Sequence, residues 1–442
     1  MQIRLSDHFS YKKLIRFTLP SIIMMIFTSV YGVVDGVFVS NFVGKTPFAA
    51  INLIMPVCML FGALGFMVGT GGSALVSKIL GEGDRDKANK IFSLLVYFAI
   101  IFGAALSALG IIFIEPISVL LGAEGEMLRG CVLYGRILFF SLVPFILQNV
   151  FQSFLVVAEK PKLGLAITVA AGVTNIVLDA LFVAVFEWGL AGAASATAIS
   201  QTVGGIIPLI YFFTSKKNQL KLGRTSFDGK ALLHTCANGS SEMMTNISLS
   251  LVNMLYNFQL MRMIGEDGIA AYGVIMYVNF IFIAAFLGYS IGCAPIISFH
   301  YGAENTDELK NLKNKSFLII ALTSVVMTAL AMLLAAPLSS VFVGYDAELN
   351  ALTQRAFILY SFSFLLVGFN IFTSAFFTAL NNGFISALVS FFRLFLFEVV
   401  SVLCLPLILG TDGVWLSVVV AEALAIVLSV SCIIALRKKY QY

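Results

Sequence analysis

Charge is what this chain has least of. Asp, Glu, Lys and Arg make up 11% of its 442 residues, against roughly 25% in soluble domains. So little charge cannot cover a water-facing surface, which excludes a soluble fold. The net charge of +4 comes from loops, so nucleic acid is not an expected partner. Cysteine is scarce as well. Cys58, Cys131, Cys236, Cys293, Cys404 and Cys432 sit in or beside apolar stretches with no Cys-x-x-Cys spacing. They read as small buried packing residues, not as disulfides or metal ligands. With three histidines, no Ser–His pair or metal set is spaced for intramembrane catalysis, and no enzyme is expected. The small-residue run GTGGSA at 69–74 lacks a following Gly-Lys-Ser/Thr. It permits close helix contact instead of cradling a phosphate. No nucleotide loop means no ATP drive in this chain, and no cofactor is expected.

Apolar residues fill the room that charge leaves. They are 60% of the chain, and the mean hydropathy is +0.98. A spanning helix needs about 20 apolar residues, and about 12 such stretches are present. They run over 14–40, 47–79, 90–114, 133–158, 163–185, 190–214, 231–262, 268–300, 314–336, 353–380, 383–409 and 412–436. Lys12, Lys13 and Arg16 ahead of the first run resemble a secretory leader. That run is too long, carries Pro20 and Asp35, and lacks a small-residue cleavage site, so it is expected to persist as the first span.

Residues 221 apart repeat. Gly44 maps to Gly265, Ala49–Ala50 to Ala270–Ala271, Ile54–Met55 to Ile275–Met276, Gly71 to Gly292, Gly81 to Gly302 and Phe151 to Phe372. The expected fold class is therefore an all-α integral membrane protein. About 12 transmembrane helices form two six-helix lobes related by a pseudo-two-fold along the membrane normal. The lobes span 1–214 and 231–442, joined by the polar linker 215–230. Basic residues cluster before the first run, after the second, fourth and eighth, in the linker, and at Arg437, Lys438 and Lys439. The positive-inside rule then places both termini and the linker in the cytoplasm.

Ionisable groups inside the hydrocarbon are costly and mark candidate sites. Asp35 lies ~30 Å and Asp179 ~24 Å from the cytoplasmic start of their helices. Asn175 is one turn before Asp179, on the same face, and Thr197 reaches a similar depth from the other side. Asp35, Asn175, Asp179 and Thr197 are compatible with one shallow site, to which Gln148, Asn149 and Gln152 could add. Two carboxylates in low dielectric cannot both stay ionised alone. They share a proton, bind a metal cation or meet a cationic substrate. Oxygen ligands suit a hard ion such as sodium, while a structural hydrogen-bond network is the plain alternative. In the second lobe, Asp35 falls on Tyr256, Asn175 on Leu396, Asp179 on Val400 and Thr197 on Val418. The missing duplicate places the coupling site in the N-terminal lobe. Asn149 falls on Asn370, so that position reads as structural.

The second lobe carries Glu242, Arg393, Glu398 and Glu422. Glu242 reads equally as a second proton site, a substrate counter-charge, or a group paired with backbone or Arg393. Glu398 and Glu422 read as structural. Pro20, Gly32 and Gly36 offer a bend in the first helix, or Pro20 simply lies near a helix start. The 41 Phe, 15 Met and 14 Tyr face lipid for the most part. A flexible cleft lined by some of them would hold flat organic cations.

The segments VYGVVDGVFVSNFVG, GTGGSALVSK with LGEGDRDKANK, TNIVLDALFV with GLAGAASATAIS, and GTDGVWLS together resemble the multidrug and toxic compound extrusion (MATE) family over the whole chain. The resemblance implies two six-helix lobes around a central cleft, and efflux of organic cations in exchange for protons or sodium. Asp35, Asn175, Asp179 and Thr197 match the family's N-lobe cation site, where sodium is a candidate ligand. Pro20, Tyr134 and Asn149 match positions associated with the bend and the N-lobe cavity. Glu242 matches the acidic C-lobe position of many members. The expectation is a secondary active multidrug transporter working by alternating access in a bacterial-type inner membrane. Its partners would be small organic cations such as drugs and dyes, together with membrane lipid, and the chain would act as a monomer. The alternative is a flippase for lipid-linked precursors in the same superfamily. That would call for a cleft rich in Arg and Lys, and Arg393 is the one buried candidate. A passive channel fits asymmetric lobes less well.

Overall fold

A computed structural model describes residues 3–43, 45–214 and 219–442. The side chains of residues 33, 35–41, 45, 46, 48 and 49 also lie outside the description. The side chains of Asp35 and Gly36, Gly44, the Ala49 member of the repeat, and Lys216 and Lys217 of the linker fall in these gaps. Among the described residues the chain is helical throughout. The first half holds α1 (Tyr11–Phe42), α2 (Lys45–Gly81), α3 (Arg85–Leu120), α4 (Gly125–Phe140), α5 (Leu142–Val157), α6 (Pro161–Asp179) and α7 (Gly189–Thr214). The second half holds α8 (Gly229–Met263), α9 (Glu266–Gly302), α10 (Thr306–Val343), α11 (Ala347–Ser361), α12 (Phe364–Ala379), α13 (Gly383–Phe391), α14 (Glu398–Leu409) and α15 (Thr411–Tyr440).

Two spans are bent pairs: α4 and α5 meet at 54°, and α11 and α12 at 46°. The bends follow Phe140 and Ser361, which are 221 residues apart, so the repeat carries the break with it. Two further spans contain a π-helical segment. Ala180–Val185 continues α6, and Phe392–Phe397 joins α13 to α14. With these joined, every expected span has its helix. Among the described residues, eleven spans are long and apolar enough to cross a membrane when each bent pair is one span. The twelfth, α8, has the length, with 35 residues. Its polar NGSSE stretch lowers its mean hydropathy.

The repeat is realised in space where α2 crosses α9. A Cβ on Gly81 would collide with the Phe299 carbonyl oxygen, and a Cβ on Gly302 with the Lys78 carbonyl oxygen. Lys78 and Phe299 are themselves 221 apart, so the crossing is self-complementary. The same operation relates Gly71 of α2 packed on Gly239 of α8 to Gly292 of α9 packed on Thr18 of α1. Glycine is required at these points because backbone meets backbone.

These crossings lie at the end of the molecule that carries both termini. Tyr440 packs on Tyr301 with ring centroids 5.7 Å apart. The N-terminal segment runs across this end as a strap. The Leu5 amide donates to Glu159 Oε1 at 2.7 Å, and the Phe9 amide to Glu308 Oε1 at 2.9 Å. His8 Nδ1 meets Glu308 Oε2 at 2.6 Å, and Lys315 Nζ donates to the Phe9 carbonyl at 2.7 Å. Leu5, Phe9, Leu14 and Phe17 are buried in the apolar core of the second half, while the first half has a core of its own. The structure therefore has its terminal end closed.

Candidate functional site

The N-lobe group is assembled by α1, α6 and α7. Asn175 and Asp179 lie on one face of α6 and are 2% and 0% exposed. Asp179 is the last α-helical residue before the π-helical segment. Such a bulge re-aims the residues around it and is frequent at functional positions. On the neighbouring helix, Phe27 and Tyr31 of α1 pack against Gly172, one turn below Asn175. Asp35 lies on α1 one turn beyond Tyr31. From α7, the Ser200 hydroxyl donates to the Ala171 carbonyl at 2.8 Å, which docks this helix on α6. Thr197, half-buried, sits one turn earlier on α7. Asn175 Nδ2 and Thr197 Oγ1 have no hydrogen-bond partner among the described residues. Such buried orphans cost free energy unless something completes them.

A second feature lies between the halves. A cavity of about 90 Å³, partly open, is lined by α1, α2, α5, α8, α9 and α12. Its polar lining includes Thr70, Asn149, Gln152, Glu242, Ser290 and Thr378, and Glu242 is its one charged residue. Met25, Phe66 and Leu287 supply apolar surface. Asn149 spends its amide on the Phe145 carbonyl of its own helix at 3.0 Å, leaving its oxygen for the cavity. Tyr134 is 1% exposed in the N-lobe core and is not part of this lining. Pro20 is buried in the middle of an unbroken α1. The reading of Pro20 as a helix-start residue therefore gives way to an interior proline, which leaves the Arg16 carbonyl without its helical donor.

A third polar cluster is buried in the second half. Arg393 Nε donates to both Glu422 oxygens at 2.8 and 3.0 Å. Asn370 Nδ2 donates to Glu422 Oε2 at 2.7 Å, and the Ser429 hydroxyl to Asn370 Oδ1 at 2.8 Å. Arg393 is thus taken by Glu422, not by Glu242 or Glu398. Asn149 and Asn370, equivalent by the repeat, have diverged into a cavity residue and a core residue.

The MatE family model matches this chain twice, over residues 20–181 and 243–403. The chain belongs to the MatE family. The two matches fall on the two repeats. Similar relatives are the multidrug export protein MepA of Staphylococcus saprophyticus and that of Staphylococcus haemolyticus. The first is 26% identical over 325 residues, spanning 73% of this chain and 71% of that protein. The second is also 26% identical over 325 residues, spanning 72% and 70%. Among solved structures, an outward-facing multidrug resistance MATE family transporter of the MOP superfamily superposes with a TM-score of 0.92. It shares 23% identity and covers 98% of both chains. The MatE fold of twelve helices in two lobes is therefore shown, and the chain is a multi-pass membrane protein.

Sequence reasoning on this MatE chain located Asn175, Asp179 and Thr197 on facing helices and Glu242 at a cavity. Asp35 has its helix position described and its side chain outside the description. Gln152 and Asn149 went to the central cavity with Glu242. The π-helical segments went unseen, because an inserted residue leaves no mark in an apolar stretch. The Arg393–Glu422 pair was missed because its partners are 29 residues apart on different helices.

Proposed function

We propose that this MatE chain is a secondary active multidrug efflux transporter. It exchanges organic cations for protons or sodium by alternating access. The observation that carries the reading is the N-lobe group: buried Asn175 and Asp179 at the start of a π-helical turn, beside the α1 helix that bears Asp35. A carboxylate buried at membrane depth is costly and marks a functional position by default. The names of the MepA relatives support drug export. The terminal end is taken as cytoplasmic by its basic residues, so the closed terminal end corresponds to an outward-facing state.

In this scheme, one proton or one sodium ion neutralises the Asp35–Asp179 pair from outside. The side-chain oxygens of Asn175 and Thr197 supply further ligands to sodium. Loss of negative charge and a bend of α1 near Pro20 release the drug cation. The flippase alternative is disfavoured by the cavity lining, which offers Glu242 and no Arg or Lys to a pyrophosphate. The test is ethidium efflux from proteoliposomes under imposed proton or sodium gradients. Substrate-stimulated flux of one of the two ions is expected. Drug movement that ignores both gradients would sink the coupling scheme.

A further inference from the structure

Among the described residues, the Arg393–Glu422 pair leaves two membrane-embedded carboxylates of the second half without a cation, Glu242 at the central cavity and Glu398 away from it. Glu398 is 8% exposed, and among the described residues no Lys, Arg or His lies within ion-pair distance of it. Its surroundings are aromatic. Tyr256 of α8, 1% exposed, turns its hydroxyl toward Glu398 without reaching normal hydrogen-bond geometry. Tyr272 of α9 stacks on Tyr256 at 5.0 Å and 13°, and donates its own hydroxyl to Asn253 at 2.7 Å. Tyr360 of α11 is within electrostatic reach of Glu398. The charged groups that act on it are Arg393 of the π-helical segment and Glu422 of α15. Glu242 of α8 is within electrostatic reach of Arg393 as well.

The internal repeat says what this arrangement is. Tyr256 stands 221 residues after Asp35, so it takes the place of the first N-lobe carboxylate. Glu398 stands two residues before Val400, the counterpart of Asp179. In both halves the fifth span carries a π-helical turn, and in both an acid adjoins it: Asp179 before Ala180, and Glu398 after Phe397. A carboxylate pair in the first lobe is thus matched by a tyrosine–carboxylate pair in the second. The two acids flank their π-helical turns from opposite sides, Asp179 ahead of its turn and Glu398 behind it.

We propose that Glu398 and Tyr256 form a second proton site, the counterpart in the C-terminal lobe of the Asp35–Asp179 group. Glu398 holds one proton in the closed-terminal-end conformation, and Tyr256 is its hydrogen-bond partner when the proton leaves. Burying a lone carboxylate ionised is prohibitive, and protonation is the ordinary remedy. One carboxylate and a phenol hydroxyl among three rings provide too few oxygens for a metal cation. The site takes one proton where the N-lobe group has two acids to share the charge. It stands apart from the coupling reading above and does not require it.

The test uses the purified full-length protein and infrared titration. The wild type is expected to show the carbonyl stretch of a protonated carboxylic acid that Glu398→Gln removes. Tyr256→Phe is expected to keep the band and move its titration midpoint by about one pH unit. Sodium added at constant pH should leave the band in place. The proposal is overturned if Glu398→Gln leaves every carboxylic acid band unchanged, or if sodium abolishes the Glu398 band. Should Glu398→Gln fail to fold, Glu398→Asp and Tyr256→Phe carry the test, and unmoved midpoints in both overturn it. Asp179→Asn, measured both in this titration and in the proteoliposome flux assay, separates the two sites. A lost coupled flux with the Glu398 band intact bears on the N-lobe reading alone.

Discussion

At the scale of single residues, similar carboxylates do different work according to what surrounds them. Glu422 is locked by Arg393 and Asn370. Removing its charge would leave a buried guanidinium unpaired, at a cost of about 3–5 kcal/mol. Glu422→Gln is expected to unfold at distinctly lower temperature in detergent, whereas Asp179→Asn should keep the wild-type melting point. Asp179→Asn should instead abolish coupled efflux, and normal drug resistance in cells at wild-type expression would contradict that role. Glu159, in the loop after α5, behaves differently again. Burial pushes its carboxyl above the ordinary range, against the Leu5 amide and nearby cations that favour ionisation. The folded protein therefore binds this proton more tightly than the unfolded chain. Its contribution to stability is full below the ordinary carboxylate value and is lost as pH rises through the raised one. Glu159→Gln is expected to flatten that decline in a melting-temperature series against pH. A decline as steep as in the wild type would show that Glu159 is not its source.

Elements add a constraint that no isolated residue carries. The α2–α9 crossing works only while Gly81 and Gly302 remain glycines, since a side chain at either meets a carbonyl of the other helix. Overpacking a tight contact costs about 1–3 kcal/mol. In the alternating-access scheme proposed above, the crossing would separate when that end opens, so the cost would fall on the closed state alone. Gly302→Val should therefore shift the population toward the open terminal end. A cysteine placed at Ser290 in the cavity should become more reactive from that side. Unchanged labelling would mean that the crossing does not regulate access. The repeat predicts the same result for Gly81→Val.

The whole molecule is held closed by contacts between distant parts of the chain. Glu308 receives the Phe9 amide, the His8 ring and the Asn311 amide. Glu159 receives Leu5, so the N-terminal strap ties both lobes at once. Hydrogen bonds to a charged group contribute about 1.5–3 kcal/mol each. Glu308→Ala should loosen the strap, raise proteolysis of the N-terminal segment in the purified protein and lower its melting temperature. Equal protease resistance would assign the strap a passive role. Sidedness is tested at this scale too. A single cysteine in the 219–228 part of the linker should resist an impermeant reagent in intact cells, and labelling there would reverse the assigned orientation.

The sequence alone was enough for the number of spans, the duplication, and the one-face pairing of Asn175 with Asp179. These depend on hydrophobic run length and helical period, which are local or strictly periodic properties of a chain in lipid. Charge inside an apolar run is conspicuous, so the sequence also singled out α1, α6 and α7 as the helices bearing the N-lobe candidates. Tertiary structure decided what each polar group meets. Arg393 lay open to Glu242, Glu398 or Glu422, and only helix packing selected Glu422. The strap from Leu5 to Phe9 reaches partners about 150 and 300 residues away, separations that no periodicity encodes. The π-helical turns were invisible for the same reason. They arise from how a helix accommodates its neighbours, and the tertiary structure places one beside a buried acid in each lobe.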